Sequence, residues 1–267
     1  MALLGLIAGN RAFPIHVARA ARALGYRVVA VGLKEETSAQ LEKEVDQMHW
    51  VSMGEVGQVP GLLKKEGVHQ LILAGQIRPE KLLQNDHKLE GLLQGFFKLL
   101  PDRSGTSAMK LAVKVLEGEG FEVLDSGFFL KEWIPSPGVL TKRSPTPEER
   151  DDISYGLSLA RELSRLQIGQ TVVIRKRAVV AVEAVEGTDA AIRRAGGIAG
   201  PGCVVAKACG PKHDMRFDIP VVGPDTIRAM AEAGASCLGV EAKRCLLFDR
   251  PQLTAEADRQ GLAIVAI

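Results

Sequence analysis

The sequence predicts an α/β protein with two domains, a Rossmann-like N-terminal domain built on a parallel sheet and a C-terminal α/β domain. A continuous apolar run at 3–8 is typical of a strand buried on both faces. A glycine-containing turn, a helical pattern to about Leu24 and a second apolar strand at 27–32 complete a β-α-β unit. A chain of 267 residues more often holds two domains than one. Four prolines between 134 and 148 mark the boundary, so we place the domains at 1–133 and 146–267, joined by a linker at 134–145.

Composition excludes several classes of protein. The hydrophobic share of 46% and charged share of 25% are those of a soluble globular protein. A net charge of +2 and only 4% aromatic residues argue against nucleic-acid binding. The four cysteines contain no C-x-x-C pair, which argues against a structural zinc site and favours reduced thiols in a cytoplasmic protein. No apolar run is long enough to span a bilayer.

Two glycine turns follow predicted strands of the first half. Gly9 and Asn10 follow the strand at 3–8, and Gly75, Gln76 and Arg78 follow an apolar strand at 71–74. Ligands of open α/β sheets gather at the carboxyl ends of strands, so these residues are candidates for binding a phosphate or ribose. A glycine needed only for a tight turn is an equally good interpretation. Because Arg11 stands where a second glycine would lie and no acid directly ends the second strand, a reduced nicotinamide cofactor is disfavoured.

A second candidate anion site lies at Ser104, Gly105 and Thr106, before a helical pattern that includes Met109. A hydroxyl-rich helix start offers N–H groups to an anion, and Arg103 beside it supports that interpretation. An ordinary helix cap is the alternative. The apolar pattern over 79–100 predicts a further helix.

The second half opens with a capping box at Thr146-Pro147-Glu148-Glu149, which predicts a helix to about Leu166. Two strands across 171–185 surround a basic turn. Next come Glu186, Gly187, Thr188 and Asp189, with a helix to Arg194 that we expect Gly196-Gly197 to end. An acid, a glycine and a hydroxyl at a strand-to-helix turn suit a ribose, phosphate or metal, and they also suit a plain helix cap.

The segment from Lys207 to Thr226 carries the densest set of charges. Asp214, Arg216 and Asp218 alternate with apolar residues at 215, 217 and 219, which predicts a half-buried strand. Two carboxylates with a cation between them can hold a divalent metal beside a phosphate. A surface strand with salt-bridged charges is the alternative. We expect Asp225 or Thr226 to cap a following helix.

Six segments together resemble the LpxI-type UDP-2,3-diacylglucosamine pyrophosphatases. They are G-L-I-A-G-N-R-A-F-P at 5–14, A-G-Q-I-R-P at 74–79, D-R-S-G-T-S-A at 102–108, V-E-G-T-D-A-A-I-R-R-A-G at 185–196, D-M-R-F-D-I-P-V-V-G-P-D-T at 214–226 and A-G-A-S-C-L-G-V-E-A at 233–242. They cover both halves in order. The E-G-T-D and D-x-R-x-D-x-P pieces are the specific ones. Two departures are Arg11, where the family usually has a second glycine, and His213, where Gln commonly precedes Asp214.

The resemblance implies hydrolysis of UDP-2,3-diacylglucosamine to UMP and 2,3-diacylglucosamine 1-phosphate (lipid X), with Mg²⁺, in lipid A biosynthesis. The resemblance implies that Asp218 or Asp214 is the essential acid. We hypothesise that Asp218, Asp214 and Arg216 are the catalytic residues, and that Asp214 and Asp218 hold Mg²⁺ or position its water. The expected substrate-binding residues are Gly9, Asn10, Gly75, Gln76, Arg78, Ser104, Gly105, Thr106, Glu186, Gly187, Thr188, Asp189 and Lys207. We hypothesise that Arg216 and Lys207 bind the bridging phosphates.

The expected partner is the UDP-linked diacylated glucosamine, with no nucleic acid. Its acyl chains are expected near Phe128, Phe129, Trp133 and Ile134, a cluster that suits core packing equally well. Peripheral contact with the inner membrane and a homodimer are left open. Three alternatives remain: a non-catalytic nucleotide-sugar or lipid-binding module, a Rossmann oxidoreductase, and a phosphohydrolase of a soluble nucleotide sugar.

Overall fold

A computed structural model describes residues 2–76, 105–210 and 213–267 of the chain. The chain divides into two compact units. The first consists of Met1–Leu130 together with Met215–Asp218, and the second of Lys131–Asp214 and Ile219–Ile267. Each contains helices and a sheet, which confirms the α/β prediction. None of the helices in the described ranges is long and apolar enough to cross a membrane.

The first unit is built on a five-stranded parallel sheet with the order β3-β2-β1-β4-β5. Its strands are β1 (Leu3–Ala8), β2 (Arg27–Leu33), β3 (Gln47–Val51), β4 (Gln70–Ala74) and β5 (Glu122–Val123). Within residues 2–76 and 105–130 the helices are α1 (Phe13–Ala23), α2 (Val59–Lys65) and α3 (Gly105–Gly118), with short 3₁₀ helices at Ala39–Glu44 and Met53–Gln58. The predicted strands at 3–8, 27–32 and 71–74 and the first helix are confirmed. The helix expected over 79–100 lies outside the described residues.

The order of these strands positions the first candidate site. β1 pairs with β2 on one side and with β4 on the other, and the chain reaches β4 from β3, so the strand order reverses between β1 and β4. Open parallel sheets bind ligands at such a reversal, beyond the carboxyl ends of the strands. β1 and β2 are buried along almost their whole length, as expected for strands covered on both faces.

The second unit contains a mixed six-stranded sheet with the order β6-β13-β11-β9-β7-β8 and a separate pair, β10 with β12. Its strands are β6 (Gly138–Val139), β7 (Thr171–Arg175), β8 (Ala178–Val182), β9 (Val204–Lys207), β10 (Val221–Val222), β11 (Cys237–Val240), β12 (Leu246–Leu247) and β13 (Ala263–Ala266). Its helices are α4 (Pro147–Arg165), α5 (Thr188–Ala199), α6 (Pro224–Glu232) and α7 (Arg250–Arg259), with a 3₁₀ turn at Lys131–Trp133. β9, β11 and β13 are parallel, whereas β7 runs antiparallel to β8 and β9.

Two local predictions of the second half are confirmed. Thr146 Oγ1 accepts a hydrogen bond from Glu149 N, and Thr146 N donates one to the Glu149 carboxylate, so the capping box starts α4. The hairpin of β7 and β8 turns at Lys176 and Arg177, whose φ angles of 50° and 59° are those of a type I′ turn. The carboxylate of Asp152, on α4, accepts from both turn N–H groups at 2.9 and 2.7 Å.

Residues 134–145 belong to the second unit. β6 pairs with β13, and Leu140 N donates to Ile264 O at 2.8 Å. Arg143 forms two hydrogen bonds of 2.9 Å with the carboxylate of Glu149. The segment 134–145 is therefore hydrogen-bonded to other parts of the second unit.

Two predicted helix boundaries are wrong. α5 does not stop at Gly196-Gly197 but ends at Ala199, before Gly200 with a φ of 70°. A Cβ on Gly196 would lie 2.7 Å from Ala233, so this glycine permits α5 and α6 to pack closely. α6 begins at Pro224 with Gly223 as its N-cap, because proline without an N–H group fits a first turn.

Candidate active site

The turns after β1 and β4 touch each other at the carboxyl edge of the first sheet. Gly9 N donates to Ala74 O at 2.7 Å, and Asn10 N donates to Gln76 O at 2.8 Å. A Cβ on Gly9 would lie 2.6 Å from Gln76 O, and one on Gly75 would lie 2.6 Å from Asn10 O. Gly75 also has a φ of 85°, which side-chain-bearing residues rarely adopt. The structure thus brings four of the predicted residues together, and both glycines are required for this approach.

An acidic loop lies over the same edge. Thr37 Oγ1 donates to Ala8 O at 2.6 Å and accepts from Leu33 N at 2.9 Å, which fixes the loop after β2 beside the end of β1. There the carboxylate of Glu36 accepts from Asn10 Nδ2 at 3.2 Å. The sequence analysis found no acid directly ending the second strand. The acid lies three residues beyond β2 and reaches the glycine turn through this loop.

Arg11 adopts the backbone conformation that glycine favours. Its φ is 64°, in the left-handed region that costs other residues about 1–2 kcal/mol. The residue that departs from the family pattern therefore stands in a conformation that a glycine would adopt at lower cost.

The segment at 214–219 is a turn, so the predicted strand is wrong. Residues 215–217 form the turn, and the apolar residues at 217 and 219 belong to different units. Phe217 packs against the hydrophobic core of the first unit, to which Met215–Asp218 belongs. Ile219 is buried, and from there the chain belongs to the second unit.

Ser126 fastens this turn to the end of β4. Its backbone N–H donates to Met215 O at 3.0 Å. Its hydroxyl oxygen lies 2.7 Å from Arg216 O and 2.8 Å from Leu73 O, so its single proton is shared between two carbonyl acceptors. Ser126 is almost completely buried, which excludes water from the contact. It therefore holds the backbone that carries the predicted catalytic residues.

The three charged residues of the turn are all half-buried and interact with other protein groups. Arg216 forms an ion pair with Glu117 of α3 at 2.5 Å. Asp214 and Asp218 flank the turn. No group of three or more His, Cys, Asp and Glu side chains that could hold a metal is found within the described ranges.

A buried polar cluster surrounds Lys207 at the carboxyl edge of the second sheet. Lys207 ends β9, directly opposite Thr171 of β7, and is only 4% exposed. Its ammonium nitrogen lies 2.8 Å from Thr188 Oγ1, 3.2 Å from Thr171 Oγ1 and 3.7 Å from the carboxylate of Glu183. Thr188 in turn donates to Glu183 at 2.8 Å.

Burial raises the pKa of Glu183. The charge of Lys207 and hydrogen bonds from Thr171, Thr188 and the Gln170 backbone lower this pKa, and together they outweigh burial. The net pKa is below the ordinary value, so the carboxylate is charged at neutral pH. Two hydroxyl oxygens thus lie within hydrogen-bond distance of the Lys207 ammonium, and the Glu183 carboxylate is its ion-pair partner. Binding of a phosphate by Lys207 stays a prediction.

The predicted E-G-T-D residues lie at the start of α5 but face different partners. Gly187 is the N-cap, with a φ of 82°, and Thr188 joins the Lys207 cluster. Glu186 instead pairs with Arg194 at 2.6 Å on the exposed side of the helix. Asp189 accepts from Thr226 Oγ1 at 2.9 Å, a contact between the first turns of α5 and α6.

Sequence reasoning missed the acid that organises the loop after β9. Glu241 follows β11 and accepts hydrogen bonds from Arg161 Nε at 2.8 Å and Cys209 N at 3.1 Å. Gly210 N donates to Ser164 Oγ at 3.1 Å, and that hydroxyl lies 3.2 Å from His213 Nδ1. A signal existed, because Glu241 directly follows a predicted strand within the 233–242 segment.

The remaining predicted residues are placed as follows. Gly105 and Thr106 begin α3, whereas Arg78 and Ser104 lie outside the described residues. Phe128 and Phe129 form an edge-to-face pair in the first unit, with ring centroids 5.0 Å apart. Trp133 forms another with Phe248 in the second unit, at 5.5 Å. The expected aromatic cluster is thus divided between two units.

Solved structures resemble parts of this chain only weakly. Glycinamide-RNase-transformylase T from Mycobacterium tuberculosis is 16% identical, with a TM-score of 0.26. That match covers 68% of this chain and 44% of the other protein. The biotin carboxylase domain of 2-oxoglutarate carboxylase from Hydrogenobacter thermophilus is 13% identical, with a TM-score of 0.29, and the match covers 73% of this chain and 41% of the other. Scores this low carry no argument about function.

Sequence comparison gives a match over the whole chain. The UDP-2,3-diacylglucosamine pyrophosphatase LpxI of Caulobacter vibrioides is 35% identical over 285 aligned positions, which span 100% of this chain and 98% of the relative. Residues 3–133 match the model of the LpxI N-terminal domain, and residues 136–265 match that of the LpxI C-terminal domain. The chain therefore belongs to the LpxI family.

Proposed function

We propose that this protein hydrolyses the pyrophosphate bond of UDP-2,3-diacylglucosamine to give UMP and 2,3-diacylglucosamine 1-phosphate (lipid X), a step of lipid A biosynthesis. The observation that carries this proposal is the match to a pyrophosphatase of that name over essentially the full length of both chains. Both domain models match as well, in the order found here. A binding module derived from one domain alone would not be expected to retain both.

The chemistry of the reaction agrees with the residues of the 214–218 turn. Cleavage of a phosphoanhydride spreads negative charge over phosphoryl oxygens, so it requires cations and a positioned water more than a protein nucleophile. Arg216 supplies a guanidinium. Its backbone carbonyl is held by the Ser126 hydroxyl, which also contacts Leu73 O of β4. We assign Arg216 to the phosphates, and Asp218 first, with Asp214 second, to activation of the water.

Magnesium fits the donor set in one of its usual modes. Mg²⁺ prefers oxygen ligands and is commonly held by one or two carboxylates together with phosphates of the substrate. Asp214 and Asp218 are the carboxylates we assign to it. Since no larger group of metal-ligating side chains is found among the described residues, substrate oxygens would complete the coordination. When bound, the ion would neutralise charge on the phosphoryl oxygens.

The test uses purified protein and UDP-2,3-diacylglucosamine, with UMP and lipid X quantified by mass spectrometry. We expect hydrolysis that a chelator abolishes and Mg²⁺ restores. Asp218→Ala and Asp214→Ala should each lower kcat by at least about 100-fold, the scale of a lost catalytic group. Asp151→Ala, which removes an exposed carboxylate on α4, is the matched control and should keep the wild-type rate. Near-normal activity of both site variants would refute the role assigned to the acids.

We further propose a cytoplasmic protein that contacts the inner membrane peripherally, because its diacylated substrate and product are amphiphiles. Sedimentation with vesicles that contain the substrate tests this assignment. Recovery of the protein in the supernatant at every substrate content would refute it. Size-exclusion chromatography with light scattering tests the homodimer that the sequence analysis left open.

A further inference from the structure

Asn10 carries a buried hydrogen-bond acceptor at the carboxyl end of β1. Its side-chain oxygen is shielded from solvent and has no hydrogen-bond donor among the residues that the structure describes. Buried acceptors in folded proteins are rarely left in this state, and an exception calls for a ligand or a functional role. The position of this one, beside the paired turns of Gly9 and Gly75, is where open parallel sheets bind ligands.

The orientation of the Asn10 amide is determined by its neighbour. Nδ2 donates to the carboxylate of Glu36 at 3.2 Å. A carboxylate accepts hydrogen bonds and cannot donate them, so a flipped amide would place two acceptor oxygens against each other. The oxygen of Asn10 must therefore point away from Glu36. Thr37 holds the Glu36 loop in place through its contacts with β1 and β2.

The chemistry of this pair selects among the parts of a nucleotide. A phosphate would bring a further anion and more acceptors to the Glu36 carboxylate, so it is excluded. The pairing edge of uracil supplies a single donor, N3–H, for Asn10 Oδ1 and leaves the Glu36 carboxylate without one. A pair of neighbouring hydroxyl groups instead supplies two donors to two adjacent acceptors. Acidic side chains near the end of the second strand bind ribose hydroxyls in other open α/β sheets.

The proposed substrate contains one such pair of neighbouring hydroxyls. In a 2,3-diacylated glucosamine both positions 2 and 3 carry acyl groups, which leaves no two adjacent hydroxyls on that sugar. The ribose of the uridine keeps its 2′- and 3′-hydroxyls. We infer that Asn10 and Glu36 bind the ribose diol of the uridine, with Asn10 Oδ1 accepting from one hydroxyl. The inference rests on the proposed function for its choice of nucleoside.

Calorimetric titration of the wild-type protein with UMP, 2′-deoxy-UMP, 3′-deoxy-UMP and 3-methyl-UMP tests the diol directly. We expect at least one deoxy analogue to bind about 10-fold or more weakly than UMP, since a polar group left without its partner is costly. 3-Methyl-UMP should bind within about 2-fold of UMP, because the assigned contacts do not involve the base. This comparison needs no substitution, so it judges the diol even if a variant fails to fold.

The variant Asn10→Ala tests whether Asn10 makes the contact with the ribose hydroxyl. The variant should bind UMP and the affected deoxy analogue within about 2-fold of each other. Gln70→Ala is the matched control: Gln70 donates to Glu122 at 2.8 Å in another amide–carboxylate pair, at the amino end of β4. Gln70→Ala should bind UMP more tightly than the affected deoxy analogue, by the same factor as the wild type.

Equal binding of UMP and both deoxy analogues by the wild type would overturn the inference, and so would full discrimination by Asn10→Ala. A selective loss with 3-methyl-UMP would also overturn it, because the base rather than the ribose would then be recognised. Hydrolysis of UDP-2,3-diacylglucosamine by the same preparations separates the two proposals. Hydrolysis without diol discrimination refutes only this inference, and discrimination without hydrolysis refutes only the proposed function.

Discussion

Replacing Lys207 by methionine tests the buried cluster of the second unit. The substitution keeps an unbranched chain of similar size but removes the cation 3.7 Å from Glu183, a pair whose side chains are only 5% and 14% exposed. Removing one partner of a buried ion pair leaves an uncompensated charge and typically costs about 3–5 kcal/mol. We expect a loss of that size in the free energy of unfolding of the second unit at pH 7.

An exposed ion pair in the same protein provides the control. Lys64 and Glu119 are closer, at 2.6 Å, but about half of each side chain is exposed. Exposed pairs contribute about 0–1 kcal/mol, so Lys64→Met should have a small effect. Combining Lys207→Met with Glu183→Gln removes the stranded charge, and this double variant should recover part of the loss. If burial rather than distance determines the cost, Lys207→Met will lower the free energy of unfolding several-fold more than Lys64→Met.

The pH dependence of the loss has a defined sign. In the wild type the pKa of Glu183 is lowered, so its contribution to stability is present at neutral pH and is lost as pH falls through the folded-state pKa. Without Lys207 burial dominates, and the pKa rises above its ordinary value. Protonation then relieves the cost in the variant. The stability difference between Lys207→Met and the wild type should therefore narrow as pH falls from neutral toward the ordinary glutamate pKa.

Urea denaturation followed by tryptophan fluorescence measures this effect in one unit. The chain has two tryptophans, with Trp50 in the first unit and Trp133 in the second. In a Trp50→Phe background the emission reports on the second unit alone, which avoids a two-state assumption for the whole chain. A loss for Lys207→Met no larger than for Lys64→Met, or a difference that does not change with pH, would refute the buried-pair reasoning.

Three further predictions concern contacts outside that cluster. Ser126→Ala removes the donor shared by two buried carbonyls and should lower kcat more than it changes KM, because the turn with Arg216 loosens; steady-state kinetics with an unchanged kcat would contradict this role. Asp152→Ala should destabilise the second unit by about 1–3 kcal/mol, since two turn N–H groups lose their acceptor, and an unchanged urea midpoint would contradict it. Burial raises the pKa of Cys237 and of Cys245 to about 12, so a disulfide reagent at pH 8 should titrate neither thiol until the protein is unfolded; rapid reaction of either in the native state would contradict their burial.

Apolar periodicity predicted the sheets well because their strands are buried by their immediate neighbours. The run at 3–8 and the capping box at Thr146 carry their structural information within a few residues, and both predictions are confirmed. The strand that the alternating pattern predicts at 214–219 is wrong. There Ser126, about 90 residues earlier in the chain, fixes the backbone as a turn, and no local pattern reveals a partner that distant.

The site residues show the same limit. The sequence singled out Glu186 because it stands in a specific motif, yet Glu183 is the acid that pairs with Lys207. The predicted hairpin contained the missing information, since pairing its strands around the basic turn brings Glu183 next to Thr171. Glu36 was missed because the loop after β2 returns to the end of β1 through Thr37. Such returns depend on tertiary hydrogen bonds that sequence patterns do not encode.

The most direct test of the proposed function is the product balance of a single reaction. Purified protein is incubated with UDP-2,3-diacylglucosamine and Mg²⁺, and every uridine- and lipid-containing product is quantified by mass spectrometry over time. We predict UMP and 2,3-diacylglucosamine 1-phosphate in equal amounts, and neither product from Asp218→Ala. Formation of UDP and a sugar without phosphate, or no turnover of the substrate, would contradict hydrolysis of the pyrophosphate bond.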